Sequence, residues 1–292
     1  DAADTDVRAL WQGVPRASHA RGRLEAGLGE TGPAIGGALR KSLATASGLV
    51  SSTASLYRML AAQGLRSLGL NDKAMALPFL RVPRVLSGKP SSKRNYAFTT
   101  LPLGELKALG KNAGATVNDM LLAVLDGALD RYLSAEPRRA RKPLVVDMPV
   151  ALSGASGGNQ IAVLQLAMGL PSMTLHERLQ AIRAETSRVK AAVKDNPAET
   201  VMLYTTLVHS LPILLERVGL SRPLLVSNLL FSNPFGFEKR CFLMGAEVEL
   251  ALPMSVVAAG QMLNVTVVTL ADHLQIGFLG IPSAVEHIDR LA

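Results

Sequence analysis

The chain has 292 residues, 48% of them hydrophobic and 18% charged, with five histidines and a single cysteine, Cys241. This length supplies one large core or two coupled ones, and the lone cysteine excludes both an intrachain disulfide framework and a cysteine-based metal site. The formal charge of +8 favours an anionic partner, a phosphorylated ligand or a membrane surface, and fits a basic soluble protein equally well. Aromatic residues make up only 4%, so the core must be built from Leu, Val, Ala and Met. No apolar stretch is expected to reach the length of a membrane-spanning helix, and the cysteine usage suits a reducing, cytoplasmic setting. The polar opening "DAADTDVRAL" is unlike a signal sequence and suggests a chain that begins inside a longer product.

In chain order, residues 1–32 are a Gly-, Arg- and Ala-rich lead-in, and Pro33–Leu68 reads as one or two helices interrupted at Gly48 and Gly64. Residues 77–94, with Pro78, Pro83, Pro90 and "SGKPSSKR", form a connector. "NYAFTTLPL" alternates as a strand, and Leu103–Lys111 is a short helix. "GATVNDMLLAVLDGALDRYL" (Gly114–Leu133) is a longer helix, closed by "EPRRARKP". "LVVDMPVAL" and "GNQIAVLQLAMGL" are strands joined by "SGASGG". Residues 172–194 are an amphipathic helix with Leu175, Leu179, Ile182 and Val189 on one side. A further helix from Asn196 is expected to bend near Pro212. "RPLLVSNLL" and "FLMGAEVELAL" read as strands, and "NVTVVTL" and "HLQIGFL" as a hairpin turning at Ala271-Asp272. "PSAVEHIDRL" reads as a closing helix starting at Pro282. Strands spaced by helices, with late hairpins, indicate an α/β fold.

Chemistry-bearing patterns are sparse. His19, His176, His209, His273 and His287 are too scattered for a metal site, and no catalytic residue is nominated among them, because a general base needs an orienting partner. The glycines of Gly154–Gly158 precede a strand and lack a phosphate-loop Lys-Ser/Thr pair, so they read as a flexible connection. Pro137–Pro143 is a basic stretch without interleaved aromatics. It suits a solvated loop or an encounter surface for phosphate or anionic lipid, and nothing supports nucleic-acid reading. At the head of the long helix, Thr116 is placed as N-cap and Asp119 three residues on as the capping-box acid, meeting the positive end of the helix. Asn118 is then free to bond a neighbouring loop backbone. A cap explains Asn118-Asp119 better than catalysis, which would require exposure and a shifted pKa.

"GATVNDMLLAVLDGALDRYL", followed by "LVVDMPVAL", "GNQIAVLQLAMG", "MTLHERLQAIRAETSRVK" and the stretch from Cys241 to Ala292, resembles the bacterial wax ester synthase/diacylglycerol acyltransferase family. The likeness is placed over residues 90–292 as that family's C-terminal α/β domain. Residues 1–89 are read as lead-in, helical crossover and connector. The resemblance implies half of a chloramphenicol acetyltransferase-like fold, a mixed sheet flanked by helices, in which two α/β halves enclose a tunnel. It implies transfer of an acyl group from acyl-CoA, a substrate rather than a bound cofactor, to a long-chain alcohol or diacylglycerol. It also implies an N-terminal catalytic half as partner and peripheral contact with a membrane or lipid droplet.

The family's His-His-x-x-x-Asp-Gly motif has no counterpart here, because the sequence contains no His-His pair. Where the family carries a Thr/Ser-Asn-Val-Pro-Gly-Pro loop, this chain has "SNLLFSNPF", matching at Ser227 and Asn228 but not at the Pro-Gly turn. Asn228 and Asn264 are expected as tunnel-wall or loop hydrogen-bonders. Two functions follow: the C-terminal half of an O-acyltransferase, inactive without its N-terminal half, or a noncatalytic homologue with a lipid-surface or structural role.

Overall fold

The computed structural model describes residues 51–87, 91–134, 142–152, 161–217, 224–234, 236–257 and 261–292. The expectations for residues 1–50, Gly154–Gly158 and most of Pro137–Pro143 lie outside them. Helix α1 occupies residues 51–67 and passes through Gly64 rather than breaking there. It ends in a left-handed Gly69 (φ 77°), with Gly69 N–H bonded to Arg66 O and Leu70 N–H to Leu65 O, both at 2.9 Å. This pair of bonds satisfies carbonyls the helix would otherwise leave open.

The following elements are β1 (Asn95–Pro102), α2 (Leu103–Asn112), α3 (Val117–Ser134), β2 (Val145–Ala151), β3 (Ile161–Ala167), α4 (Leu175–Lys194), α5 (Ala198–Arg217), β4 (Leu229–Ser232), β5 (Phe242–Leu243), β6 (Ala246–Glu247), β7 (Leu263–Leu270), β8 (His273–Gly280) and a 3-10 turn (Ile288–Leu291). Six strands form one mixed sheet in the order β1-β8-β7-β4-β2-β3. The β2–β4 and β4–β7 pairs are parallel and the rest antiparallel. Parallel neighbours need long crossovers, and α4–α5 supply the first. The β7–β8 hairpin turns at Ala271-Asp272 as expected, with Ala271 at φ 53°.

Several expectations are corrected. The run "FLMGAEVELAL" is not one strand: β5 and β6 form a two-residue hairpin around Met244 and left-handed Gly245. Only the last two residues of "RPLLVSNLL", Leu229 and Leu230, join the sheet, in a strand that continues to Ser232. The chain closes in a 3-10 turn rather than an α-helix. Helix α4 begins at Leu175, capped by Thr174 and Glu177 in a reciprocal box, and Leu175 is 59% exposed while Leu179, Ile182 and Val189 are buried. Its first turn therefore buries Arg178 rather than Leu175. Helix α5 continues through Pro212, and its Ala198–Leu215 span is long and apolar enough to cross a membrane by length and composition. In this fold α5 instead packs Val201, Tyr204 and Val208 into a core with Met59, Leu164 and Val189. Thr205 Oγ1 accepts from Val163 N at 3.2 Å, which covers an open backbone group on the edge strand β3.

The main core lies between the sheet and the α3/α4 layer, where Leu122, Leu125, Leu129 and Ile182 pack on Val146, Leu166, Leu229 and Val265. Two polar ties lock the helices together. Arg178 of α4 donates to Asp126 (2.7 Å) and Asp130 (2.6 Å) of α3, and Thr186 of α4 donates to Asp119 (2.7 Å) at the other end of α3. Because the partners run in opposite order, α3 and α4 lie antiparallel. Asp126 also accepts from Gly169 N at 3.0 Å, and Arg178 donates to Pro171 O and Met173 O, fixing the loop from β3 into α4. Burial pushes the Asp126 carboxyl above its ordinary pKa, and Asp130 adds to the rise, against the pull of Arg178 and the Gly169 N–H.

Removing one member of such a buried pair strands the other. Arg178→Met is expected to cost about 3–5 kcal/mol in denaturant unfolding, and the double change Arg178→Met/Asp126→Leu markedly less. A double variant no more stable than the single one would contradict the pairing.

Candidate functional site

The head of α3 is built by its cap. Asp119 N donates to Thr116 Oγ1 at 3.2 Å, while Asp119 Oδ2 accepts from Thr116 N (2.9 Å) and Thr116 Oγ1 (2.7 Å). Thr186 Oγ1 takes the other carboxylate oxygen. Asp119 is only 4% exposed. Burial pulls its pKa up, but the bonds from Thr116 and Thr186 and the charge of Lys190 outweigh it and leave the carboxyl below its ordinary value. A general base needs an accessible lone pair and a pKa near the working pH, whereas Asp119 is buried, bonded on both oxygens and shifted the other way. Asn118, by contrast, is exposed. Its Oδ1 accepts from Asn233 Nδ2 at 2.7 Å, so its partner is a side chain rather than the expected loop backbone.

The other two asparagines sit elsewhere. Asn228, 1% exposed, accepts from Val145 N (2.9 Å) and donates to Pro83 O (2.7 Å) and Val85 O (3.0 Å), pinning the connector to the start of β2. Asn264, equally buried, donates to Val256 O and accepts from Thr266 Oγ1, both at 2.8 Å. It holds the 249–257 segment across the sheet face turned away from α3. Gly277 of β8 lets that segment approach, because a Cβ there would collide with Pro253 O and come within 2.7 Å of Tyr96 Oη. No hydrogen bond joins Asn118, Asn228 and Asn264 to one another among the described residues.

On that same sheet face lies a buried polar network that sequence reasoning missed. Asp147, 1% exposed, accepts from Gln165 Nε2 at 2.8 Å, from Gln261 Nε2 and from His209 Nε2 at 3.2 Å. Gln261 also reaches Ser227, and Tyr204 Oη donates to Gln165 Oε1 at 3.1 Å. The available signal was an aspartate inside the apolar run "LVVDMPVAL", since a buried carboxylate demands partners. Its partner stands 62 residues further on, beyond any local pattern.

The second ring nitrogen, His209 Nδ1, lies 2.9 Å from Thr205 O. A carboxylate on one side and a carbonyl on the other are both acceptors, an arrangement that favours the doubly protonated ring. Burial pulls the His209 pKa down, but the Asp147 bond and charge and the Thr205 carbonyl outweigh it and raise it. A ring held in this way has both nitrogens engaged by neighbours. His176 and His273 are exposed, the latter beside Asp272, and among the described residues no group of three or more His, Cys, Asp or Glu side chains could hold a metal ion.

A mixed sheet with helices layered on it is the architecture of CoA-dependent acyltransferases. The solved "Wax ester synthase/diacylglycerol acyltransferase from Marinobacter aquaeolei VT8" superposes with a TM-score of 0.59 at 21% identity, over 82% of this chain and 54% of that one. A condensation domain of the calcium-dependent antibiotic synthetase superposes at 0.50 and 17% identity. In sequence, the family model for the wax ester synthase/diacylglycerol acyltransferase catalytic domain matches residues 1–121, and that for the C-terminal domain matches residues 157–292. The chain belongs to this family.

A Mycobacterium tuberculosis protein named a probable diacylglycerol O-acyltransferase is 31% identical over 233 residues, 78% of this chain and 49% of that protein. The "O-acyltransferase WSD" of Acinetobacter baylyi is 24% identical over 87% of this chain and 56% of its own length. The chain thus spans about half the length of these curated relatives. The family likeness is broader than residues 90–292: the lead-in, α1 and Asn118-Asp119 all fall within the catalytic-domain match.

Two outcomes follow from these geometries. Asp119→Asn should retain the fold at a cost of about 0.5–2 kcal/mol, the range of a lost cap, read by urea unfolding; unchanged stability would remove the structural role. The raised folded pKa of His209 means its stabilising contribution is complete below the unfolded value near 6.5 and is lost as pH rises through the folded value. Between pH 6 and pH 8 the native chain should therefore lose more stability than His209→Gln, and equal losses would show that the ring is not held as an imidazolium.

Proposed function

We propose that this chain forms part of an acyl-CoA-dependent O-acyltransferase esterifying a lipid alcohol, either a long-chain alcohol or a diacylglycerol, and that the reacting base is supplied by residues outside these 292. One observation carries this reading: both family domain models match, yet the sequence holds no His-His pair. Attack of a hydroxyl on a thioester requires a base for its proton and donors for the developing oxyanion. The groups that sequence and fold place in prominence are already engaged. Asp119 is ringed by donors, and His209 is saturated on both nitrogens.

What these residues supply is the portion matching both domain models, an α/β part that supports one wall of the site and is completed by residues carrying the His-His motif. Exposed apolar side chains at Leu243, Met244, Met254 and Val256 support a partner surface on the 237–257 side, covered by those residues. A noncatalytic role at a membrane or lipid-droplet surface is the second reading, favoured by the exposed Leu203, Leu207 and Leu214 of α5.

The test is a radiolabelled acyl-CoA assay with hexadecanol and with diacylglycerol. The purified chain alone is expected to form no ester above background, and ester should appear when a polypeptide carrying the His-His-x-x-x-Asp-Gly motif is added. Ester formation by the chain alone would overturn the assignment of the base.

A further inference from the structure

Between the end of α1, the connector after it and the outer side of α4 lies a groove of about 590 Å³, within the size range of small-molecule sites. Leu77, Leu80, Met168 and Met173 make an apolar wall, and Ala181 and Ala184 keep the α4 side low. Neither Asp119 nor the Asp147–His209 network lines it.

Its charge is unbalanced. The lining carries three guanidinium groups, Arg66, Arg81 and Arg188, against one carboxylate, Glu185. Glu185 is already held twice: Arg66 donates to both its oxygens, and Arg188 Nη1 donates to it at 2.8 Å. Arg66 is also fixed to Ala74 O at 2.9 Å, and Arg188 to Asp72 O. The two arginines are therefore locked in place by the loop after α1, through Asp72 and Ala74, and the acid that neutralises one of them is spent. Arg81 is exposed at the rim. It and Phe79 sit at φ 66° and 65°, a left-handed conformation costly for side chains with a Cβ, on either side of Leu80, itself 45% exposed. The strained turn sets an apolar and a cationic side chain next to each other on the groove.

The geometry points to a binding site for a single-chain amphiphile with an anionic head, the alkyl chain lying along Leu77, Leu80, Met168 and Met173 and the head meeting Arg81 and Arg188. Guanidinium groups match both carboxylate and phosphate, so a fatty carboxylate and an alkyl phosphate share the required chemistry. The site does not depend on the acyl-transfer reading, since binding is measured whether or not any ester is made.

Isothermal titration of the full chain with dodecanoate, dodecyl phosphate, dodecanol and inorganic phosphate, the two anionic amphiphiles below their micelle concentrations and dodecanol below its solubility limit, tests it. Both anionic amphiphiles should bind, and the tighter of the two identifies the head. Dodecanol and inorganic phosphate should each bind at least about tenfold more weakly, the loss expected when one charge-assisted bond is missing. Arg81→Gln should weaken both anions by about tenfold and leave dodecanol unchanged. Ala184→Trp, at an exposed helix position, should block both anions with the circular dichroism and Tm of the native chain. Dodecanol binding as tightly as dodecanoate, or either variant binding the anions like the native chain, would overturn the site.

Discussion

The antiparallel tie between α3 and α4 is the constraint on which the rest of the molecule depends. Apolar contact alone would let two helices slide, because the hydrophobic effect is proportional to area and carries no direction. The polar partners remove that freedom: Arg178 spans Asp126 and Asp130 near one end, and Thr186 meets Asp119 near the other. With the register fixed at two points, Leu122, Leu129 and Ile182 are delivered fully buried onto the sheet. The head of α3, with Asn118 exposed beside Asn233, is then held at a defined place on the surface. The same arginine orders the chain entering α4 through Pro171 O and Met173 O.

The opposite face of the sheet follows different physics. There Asp147, Gln165, Gln261 and Ser227 are buried polar groups bonded to one another, with Gln261 Oε1 left without a hydrogen-bond partner and His209 as their link towards solvent. Burying a carboxylate is costly unless it is paired, and Asp147 is met by Gln165, Gln261 and His209. Both ring nitrogens of His209 are engaged here, Nε2 by Asp147 and Nδ1 by Thr205 O. Around these two faces the molecule presents the exposed Asn118 and a series of exposed apolar side chains between residues 242 and 256.

Local features were legible from sequence where local physics decides them. The Thr116–Asp119 cap, the β7–β8 turn and the span of α4 all rest on contacts within a few residues. The misreadings occurred where tertiary context decides. Leu175 fits the apolar stripe of α4 but stays exposed, and "FLMGAEVELAL" has a strand's composition but finds no sheet neighbour among the described residues beyond a two-residue hairpin. Gly64 reads as a break, yet the helix passes it with open space around the glycine. The pairs that matter most, Asp126 with Arg178 and Asp147 with His209, are 52 and 62 residues apart, so only the unusual polarity of Asp126 and Asp147 within apolar runs marked them. Family resemblance supplied the fold class, and coordinates supplied the partners.

If the two ties make α3 and α4 one cooperative unit, their backbone amides must open together. Native-state hydrogen exchange on the intact chain and on Thr186→Val, which removes the tie at the head of α3 while keeping the side-chain shape, tests this most directly. The account predicts that protection falls in step across Leu121–Leu133 of α3 and Leu179–Val189 of α4, with the β7–β8 hairpin unchanged. Loss confined to the first turn of α3, with α4 exchanging as in the native chain, would contradict it.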